Sequence, residues 1–293
     1  MAFNWKTFWT RTFTGAIYIT VMLLCLWNRW TFLLVFSVIH FGCWWEYLRL
    51  REKIHGVNFH TYVKLGLMVI GYGLMLWFCG PSYEIRGYGL KENLSLPVSA
   101  AGFAILLIGI FQKTQVRLKS FGAAAVGLIY ISLSWGFMID FYSRSDYHIY
   151  DTMFVLAPDA IPIIIFASIW TNDTMAYLVG SMIGKTSLSK ISPKKTWEGT
   201  IGGIILCVVM VSLLLPFVFG IHSSPFSIFL AILSAIAAIT GTFGDLFESR
   251  LKRKAGVKDS GNLMPGHGGF LDRFDSLLFA TPAVWLLLFF LNR

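Results

Sequence analysis

Charge is scarce in this chain. Only 13% of its 293 residues are Asp, Glu, Lys or Arg, where soluble domains carry about 25%, and that shortage excludes an ordinary water-soluble globule. Acids are scarcest: 15 Asp and Glu stand against 24 Lys and Arg, a net charge of +9. Cysteine is scarce too. Cys25, Cys43, Cys79 and Cys207 all lie in or beside apolar runs, and without a CxxC pair or zinc-type spacing they read as small apolar packing residues. His40, His55, His60, His148 and His222 are scattered, so none is a candidate metal ligand or general base. Repeats of fixed period and low-complexity tracts are missing as well.

What the chain has is apolar length. Its residues are 56% hydrophobic and the mean hydropathy is +0.67. Nine apolar runs, at about 13–28, 30–48, 64–80, 96–112, 121–142, 160–184, 200–220, 226–244 and 274–291, approach the roughly 20 residues that cross about 30 Å of hydrocarbon as a helix. The expected fold is an all-α integral membrane protein of about nine transmembrane helices. One polytopic domain is expected over 1–293, with N-terminal helices in 1–157 and, in 158–293, the helices and cytoplasmic loops that carry the chemistry. Lys6 and Arg11 precede the first run as in a signal peptide, but no small-residue cleavage site follows, so a retained first span is expected.

With the N-terminus taken as cytoplasmic, most Lys and Arg fall on the cytoplasmic side and only Arg29, Arg86, Lys91, Arg144 and Arg293 on the other. The positive-inside rule favours that orientation. The same placement, in short loops beside spans, accounts for the positive charge through topology and anionic headgroups, so nucleic acid is not an expected partner. Trp44 and Trp45 fit an interfacial aromatic belt, and Glu46 and Asp140 lie near span ends, within reach of the interface.

Two polar features remain, one inside the sixth run and one in the cytoplasmic loop after it. Asn172 and Asp173 sit near the middle of the sixth run, where a charge costs at least about 2.5 kcal/mol and calls for a cavity or a partner. The loop after it runs through Lys185, Ser192-Pro193-Lys194-Lys195-Thr196 and Trp197-Glu198-Gly199. Its lysines, hydroxyls and helix start suit phosphate oxygens, and an ordinary basic loop against headgroups reads equally well.

The densest polar stretch is Gly241–Ser276, with Asp245, Glu248, Asp259, Asp272 and Asp275 beside Arg250, Lys252, Arg253, Lys254, Lys258, Arg273 and His267. Asp245, Glu248 and Ser249 have i, i+3, i+4 spacing, and Asp272 and Asp275 repeat i, i+3 where the last run begins. Carboxylates at two helix ends are hard oxygen ligands for Mg2+ that leave positions for substrate phosphates; singly, each pair reads as a solvated helix end. The bases between them suit phosphate, Arg as a fork and Lys as a point charge, and Pro265-Gly266-His267-Gly268-Gly269 suits a tight turn with amides facing a ligand. Acids, bases and glycines together point to phosphoryl or nucleotidyl transfer.

The run Ser249–Asp275, SRLKRKAGVKDSGNLMPGHGGFLDRFD, resembles the signature of the phosphatidate cytidylyltransferases, the CDP-diacylglycerol synthases. So do Asp173-Thr174-Met175-Ala176-Tyr177 with Gly180, Gly184 and Lys185, and the segment Ser192–Gly199. The resemblance implies an enzyme of the cell (inner) membrane that joins CTP and phosphatidate into CDP-diacylglycerol and pyrophosphate at the cytoplasmic face. It implies Mg2+ held by the acids matching Asp245 and Asp272, with a monovalent cation such as K+ and a homodimer as further expectations. The expected catalytic residues are Asp245, Asp272, Asp173 and Lys195. The expected substrate-binding residues are Lys185, Ser192, Lys194, Lys195, Thr196, Glu248, Ser249, Arg250, Arg253, Lys258, His267, Gly268, Gly269, Arg273 and Asp275. A CTP-dependent transferase for another lipid phosphate shares most of these features. An ion-coupled transporter would explain Asp173 but not the cytoplasmic cluster.

Overall fold

The computed structural model describes residues 5–112, 118–144, 147–149, 154–262 and 268–291. Among the described residues nine helical stretches follow one another: α1 Trp5–Cys25, α2 Arg29–His55, α3 Thr61–Trp77, α4 Lys91–Phe111, α5 Leu118–Ser143, α6 Ala160–Ile183, α7 Trp197–Phe219, α8 Ser224–Lys254 and α9 Leu271–Leu291. Each overlaps one of the apolar runs, with ends that differ by up to about ten residues. Seven, α2 and α4 to α9, are long and apolar enough to cross a membrane, whereas the apolar part of α1, Phe13–Cys25, and α3 are shorter. The protein is an all-α, multi-pass membrane protein with three small two-stranded hairpins that the apolar pattern does not reveal.

Local chemistry sets the helix ends. Asn28 caps α2 by accepting from Trp30 N at 2.9 Å and Thr31 N at 3.0 Å, while the Thr31 hydroxyl accepts from Asn28 N, a reciprocal cap that satisfies amides with no intrahelical partner. Gly56, at φ +61°, ends the same helix in the left-handed region. The apolar run in α8 ends near 244, yet the helix continues to Lys254 because nothing before Gly256, at φ +67°, interrupts it. Its 31 residues make a rod of about 46 Å at 1.5 Å per residue, longer than the hydrocarbon, so the basic end projects beyond it.

The chain divides into two compact units. Met1–Ser143 with Leu251–Phe274 forms the first, and Arg144–Arg250 with Asp275–Arg293 the second. In the first, α3 and α4 approach through Gly66, Gly102 and Gly109, where an added Cβ would meet the opposite backbone at 2.5–2.6 Å, the close packing that small residues permit between membrane helices. Aromatic rings fill its core: Phe32 stacks on Tyr142, and Phe36 and Phe274 meet Trp135 edge-on. Trp44 belongs to this core rather than to an interfacial belt. It is fully buried, and its Nε1 donates to Ser132 Oγ at 2.8 Å, which a π-helical turn at Leu128–Leu133 in α5 presents. Trp45 is exposed, with the Lys64 ammonium over its ring.

In the second unit α6 and α7 pack backbone to backbone. A Cβ on Gly199 would lie 2.8 Å from Ala176 O and from Gly180 Cα, and one on Gly203 would meet Ala176 at 2.7 Å. The segment joining these helices, read from sequence as a loop, is a hairpin in which Ser187–Ser189 pairs with Ser192–Thr196. Thr196 then caps α7, accepting from Gly199 N at 3.1 Å.

Candidate active site

The second unit gathers carboxylates around one lysine. The hairpin presents Lys195, whose ammonium pairs with Asp245 on α8. One turn along α8, Glu248 is fully buried, and Asp275 on α9 is buried too, with one oxygen accepting from Ser276 N at 2.7 Å. Gly244 makes the approach possible: a Cβ there would run into the Asp275 carbonyl. Asp275 feels the charges of Asp245, Glu248 and Asp173. Asp173, on the outward face of α6, also acts on Lys195. Neighbouring Asn172 is buried instead, and its Oδ1 has no hydrogen-bond partner among the described residues.

Electrostatics define what this cluster accepts. Burial pushes the Lys195 ammonium down, but Asp245, with Asp173 and Asp275 behind it, outweighs burial and leaves its pKa raised. Four carboxyl groups crowd around one ammonium in a low-dielectric setting, where a buried charge calls for a counter-ion. The donor set, all carboxylate oxygens, suits a hard divalent cation. Among the described residues no three His, Cys, Asp or Glu converge on one point.

The first unit holds Asp272, at the first turn of α9, within a dense set of donors. Its Oδ2 accepts from Ser260 N and Gly269 N, each at 2.8 Å, and lies 2.8 Å from Ser260 Oγ, whose one hydrogen it shares with Glu46; its Oδ1 accepts from Lys252 Nζ at 2.6 Å. Among the described residues, the partner of Oδ1 is the Lys252 ammonium. Gly268, at φ +85°, lies beside this carboxylate: a Cβ there would stand 2.6 Å from Oδ2. Glu46 on α2 does not reach the interface as its sequence position suggests; it is 5% exposed and accepts from Ser260 Oγ at 2.7 Å, Phe270 N at 3.0 Å and Leu271 N at 2.8 Å.

The remaining expected residues divide by exposure. Lys185, Lys194, Arg250, Arg253 and Lys258 are exposed, whereas Ser249 and Arg273 are half-buried. Thr196 is occupied as the cap of α7, and Ser192 pairs with Ser189 in the hairpin. His267 lies outside the described residues. Three contributors went unassigned from sequence. Glu198 accepts from Lys185 N and Thr186 N, tying the hairpin to α7. Glu46 carried a readable signal, a carboxylate inside an apolar run. Ser260 carried none, being one hydroxyl in a polar loop.

The apolar helices define a polytopic membrane protein, and it carries carboxylates gathered around a lysine and a set of exposed bases. The profile of the cytidylyltransferase family matches residues 9–291, and the chain belongs to that family. It is 31% identical over 284 residues to the phosphatidate cytidylyltransferase of Thermotoga maritima, covering 94% of each chain. To the phosphatidate cytidylyltransferase of Bacillus subtilis it is 34% identical over 231 residues, 73% of this chain and 76% of that one. The chloroplastic phosphatidate cytidylyltransferase 4 of Arabidopsis thaliana is 48% identical over 118 residues, 40% of this chain and 29% of the plant protein. The likeness thus extends well beyond the C-terminal motifs that suggested it, through nearly the whole chain.

Proposed function

We propose that this chain transfers the cytidylyl group of CTP to phosphatidate, giving CDP-diacylglycerol and pyrophosphate for phospholipid synthesis. The observation that carries this reading is the likeness to phosphatidate cytidylyltransferases over 94% of the chain. The step is a direct displacement. A phosphate oxygen of phosphatidate bonds to the α-phosphorus of CTP, the bond from that phosphorus to the bridging oxygen breaks, and its electron pair leaves with pyrophosphate. No protein nucleophile is needed, because a phosphate monoester, with a second pKa of about 6, is already ionised at neutral pH.

Positioning and charge neutralisation remain for the protein. Asp245 and Asp272 are the carboxylates assigned to Mg2+, and the Glu248 and Asp275 carboxyl groups beside Asp245 belong to the substrate-binding set. Mg2+ supplies charge neutralisation at the phosphates. Lys195, kept protonated by Asp245, offers an ammonium to a phosphate oxygen, and Asp173 helps to hold that charge. Lys185, Ser192, Lys194, Thr196, Ser249, Arg250, Arg253, Lys258, His267, Gly268, Gly269 and Arg273 complete the substrate-binding set. A monovalent cation such as K+ is a second expected ion.

All nine helices are assigned to the membrane, since the 17 residues of α3 reach about 25 Å and stand at the short end of the spanning range. The chain is placed in the cell (inner) membrane, N-terminus and site toward the cytoplasm where CTP is found, and a homodimer is the expected assembly. Purified protein given labelled CTP, Mg2+ and phosphatidate in mixed micelles is expected to release CDP-lipid and pyrophosphate in equal amounts. Turnover of polyprenyl phosphate instead would overturn the acceptor, and absence of any CTP-dependent product would overturn the reaction.

A further inference from the structure

Both oxygens of the Glu46 carboxylate accept hydrogen bonds, and every partner among the described residues belongs to the segment that leads into Asp272. Phe270 N and Leu271 N, the amides at the start of α9, donate to it, as does Ser260 Oγ. The surrounding backbone is shaped to the carboxylate. A Cβ on Gly261 or on Gly269 would collide with its oxygens, and Gly42, one turn earlier on α2, leaves room for the Phe270 ring. Ser260 Oγ lies 2.7 Å from Glu46 Oε2 and 2.8 Å from Asp272 Oδ2. A hydroxyl has one hydrogen, so it donates to one carboxylate at a time and couples the two. Ser260 N holds the same Asp272 oxygen at 2.8 Å.

From this geometry we infer that Glu46 and Ser260 are positioning residues for the reaction. Through the Ser260 hydroxyl and the turn Gly269–Leu271, they orient Asp272 so that Oδ1, on the side of Lys252, is the oxygen presented for chemistry. The inference rests on the assignment of Asp272 to the reaction under the proposed function. A carboxylate at a helix start needs no remote partner to be satisfied: Asp272 already accepts from its own neighbour Gly269 N. The contribution of Glu46 is orientation, because it locks the amides and the hydroxyl on which that orientation depends. Misplacement by about 1 Å costs up to roughly a hundredfold in rate.

The test uses the full-length protein in detergent with Ser260→Ala, Ser260→Thr, Glu46→Gln and Asp272→Asn. Ser260→Ala removes the shared hydroxyl and leaves both carboxylates and the backbone donors, so it decides the matter even if Glu46→Gln fails to fold. Expected for Ser260→Ala and Glu46→Gln is a fall in kcat of about tenfold or more, with KM for CTP within about twofold and, for Ser260→Ala, an ion-free melting midpoint little changed. Ser260→Thr, which keeps the hydroxyl, restores most of the rate. Mg2+ titrated alone is expected to raise the melting midpoint of the wild type, to do so for Ser260→Ala only at severalfold higher concentration, and to have little effect on Asp272→Asn. Wild-type kcat and Mg2+ response in both Ser260→Ala and Glu46→Gln would overturn the inference. So would a loss of rate that merely tracks a lower ion-free midpoint. If Asp272→Asn itself turned over normally, the assignment of Asp272 would fail instead, a result distinct from either.

Discussion

Lys195 is pulled in two directions, and its neighbours decide the outcome. Burial alone would favour the neutral amine; the Asp245 carboxylate reverses that and raises the pKa. For a raised pKa, the stabilising contribution is fully present below the unfolded value of about 10.4 and is lost only as pH rises through the higher folded value. Activity is therefore expected to show no loss from Lys195 deprotonation through pH 9. In Asp245→Asn the burial effect is left without its main opponent, and Lys195 is expected to react with an amine-directed reagent at a lower pH than in the wild type, read by peptide mass spectrometry. Lys195→Met is expected to cut kcat by about a hundredfold, in the range of losing one aimed donor to a developing anion. At Glu46, the apolar setting announced an unusual carboxylate. Its partners, 214 to 225 residues away in sequence, are brought to it only by folding.

Between elements, close approach is the recurring device. α6 and α7 meet through Gly180, Gly199 and Gly203, and this contact places the hairpin that bears Lys195 at the end of both helices. Gly199→Ala is expected to destabilise by about 1–3 kcal/mol, as overpacking does, and to lower kcat as the hairpin shifts; a fluorescence melt and the CDP-lipid assay check the two effects. Thr196→Ala removes the cap of α7 and is expected to cost about 1 kcal/mol, a milder fall in the same melt. The helices themselves were readable, since an apolar run long enough for the bilayer has few alternatives. The hairpin was not. Ser187–Thr196 is polar throughout and carries Pro193, so it shows neither apolar alternation nor a two-residue Asn-Gly turn, and Pro is confined to edge strands of the kind found here.

For the molecule as a whole, topology is set by charge and length together. The four native cysteines are buried, which makes single-cysteine probes clean. Arg86 and Lys258 are both exposed. Lys258→Cys is expected to be labelled by an impermeant maleimide only from the cytoplasmic face and Arg86→Cys only from the other face, compared in inside-out and right-side-out vesicles. The same face for both would break the nine-span, N-in assignment.

The amino-acid sequence by itself determined that this is a helical membrane protein with its acids and bases concentrated beside α6 and at the α8–α9 turn. Hydrocarbon thickness and the cost of buried charge leave little freedom at that level. It also showed which carboxylates share a helix face, because Asp245 with Glu248 and Asp272 with Asp275 are spaced by the helical period. Only the tertiary structure decided what those groups touch. The pairing of Lys195 with Asp245, the donors on Asp272 and the reach of Glu46 to Ser260 join segments far apart in the chain. Such contacts depend on which helices pack, which glycines let them approach and which direction each side chain takes.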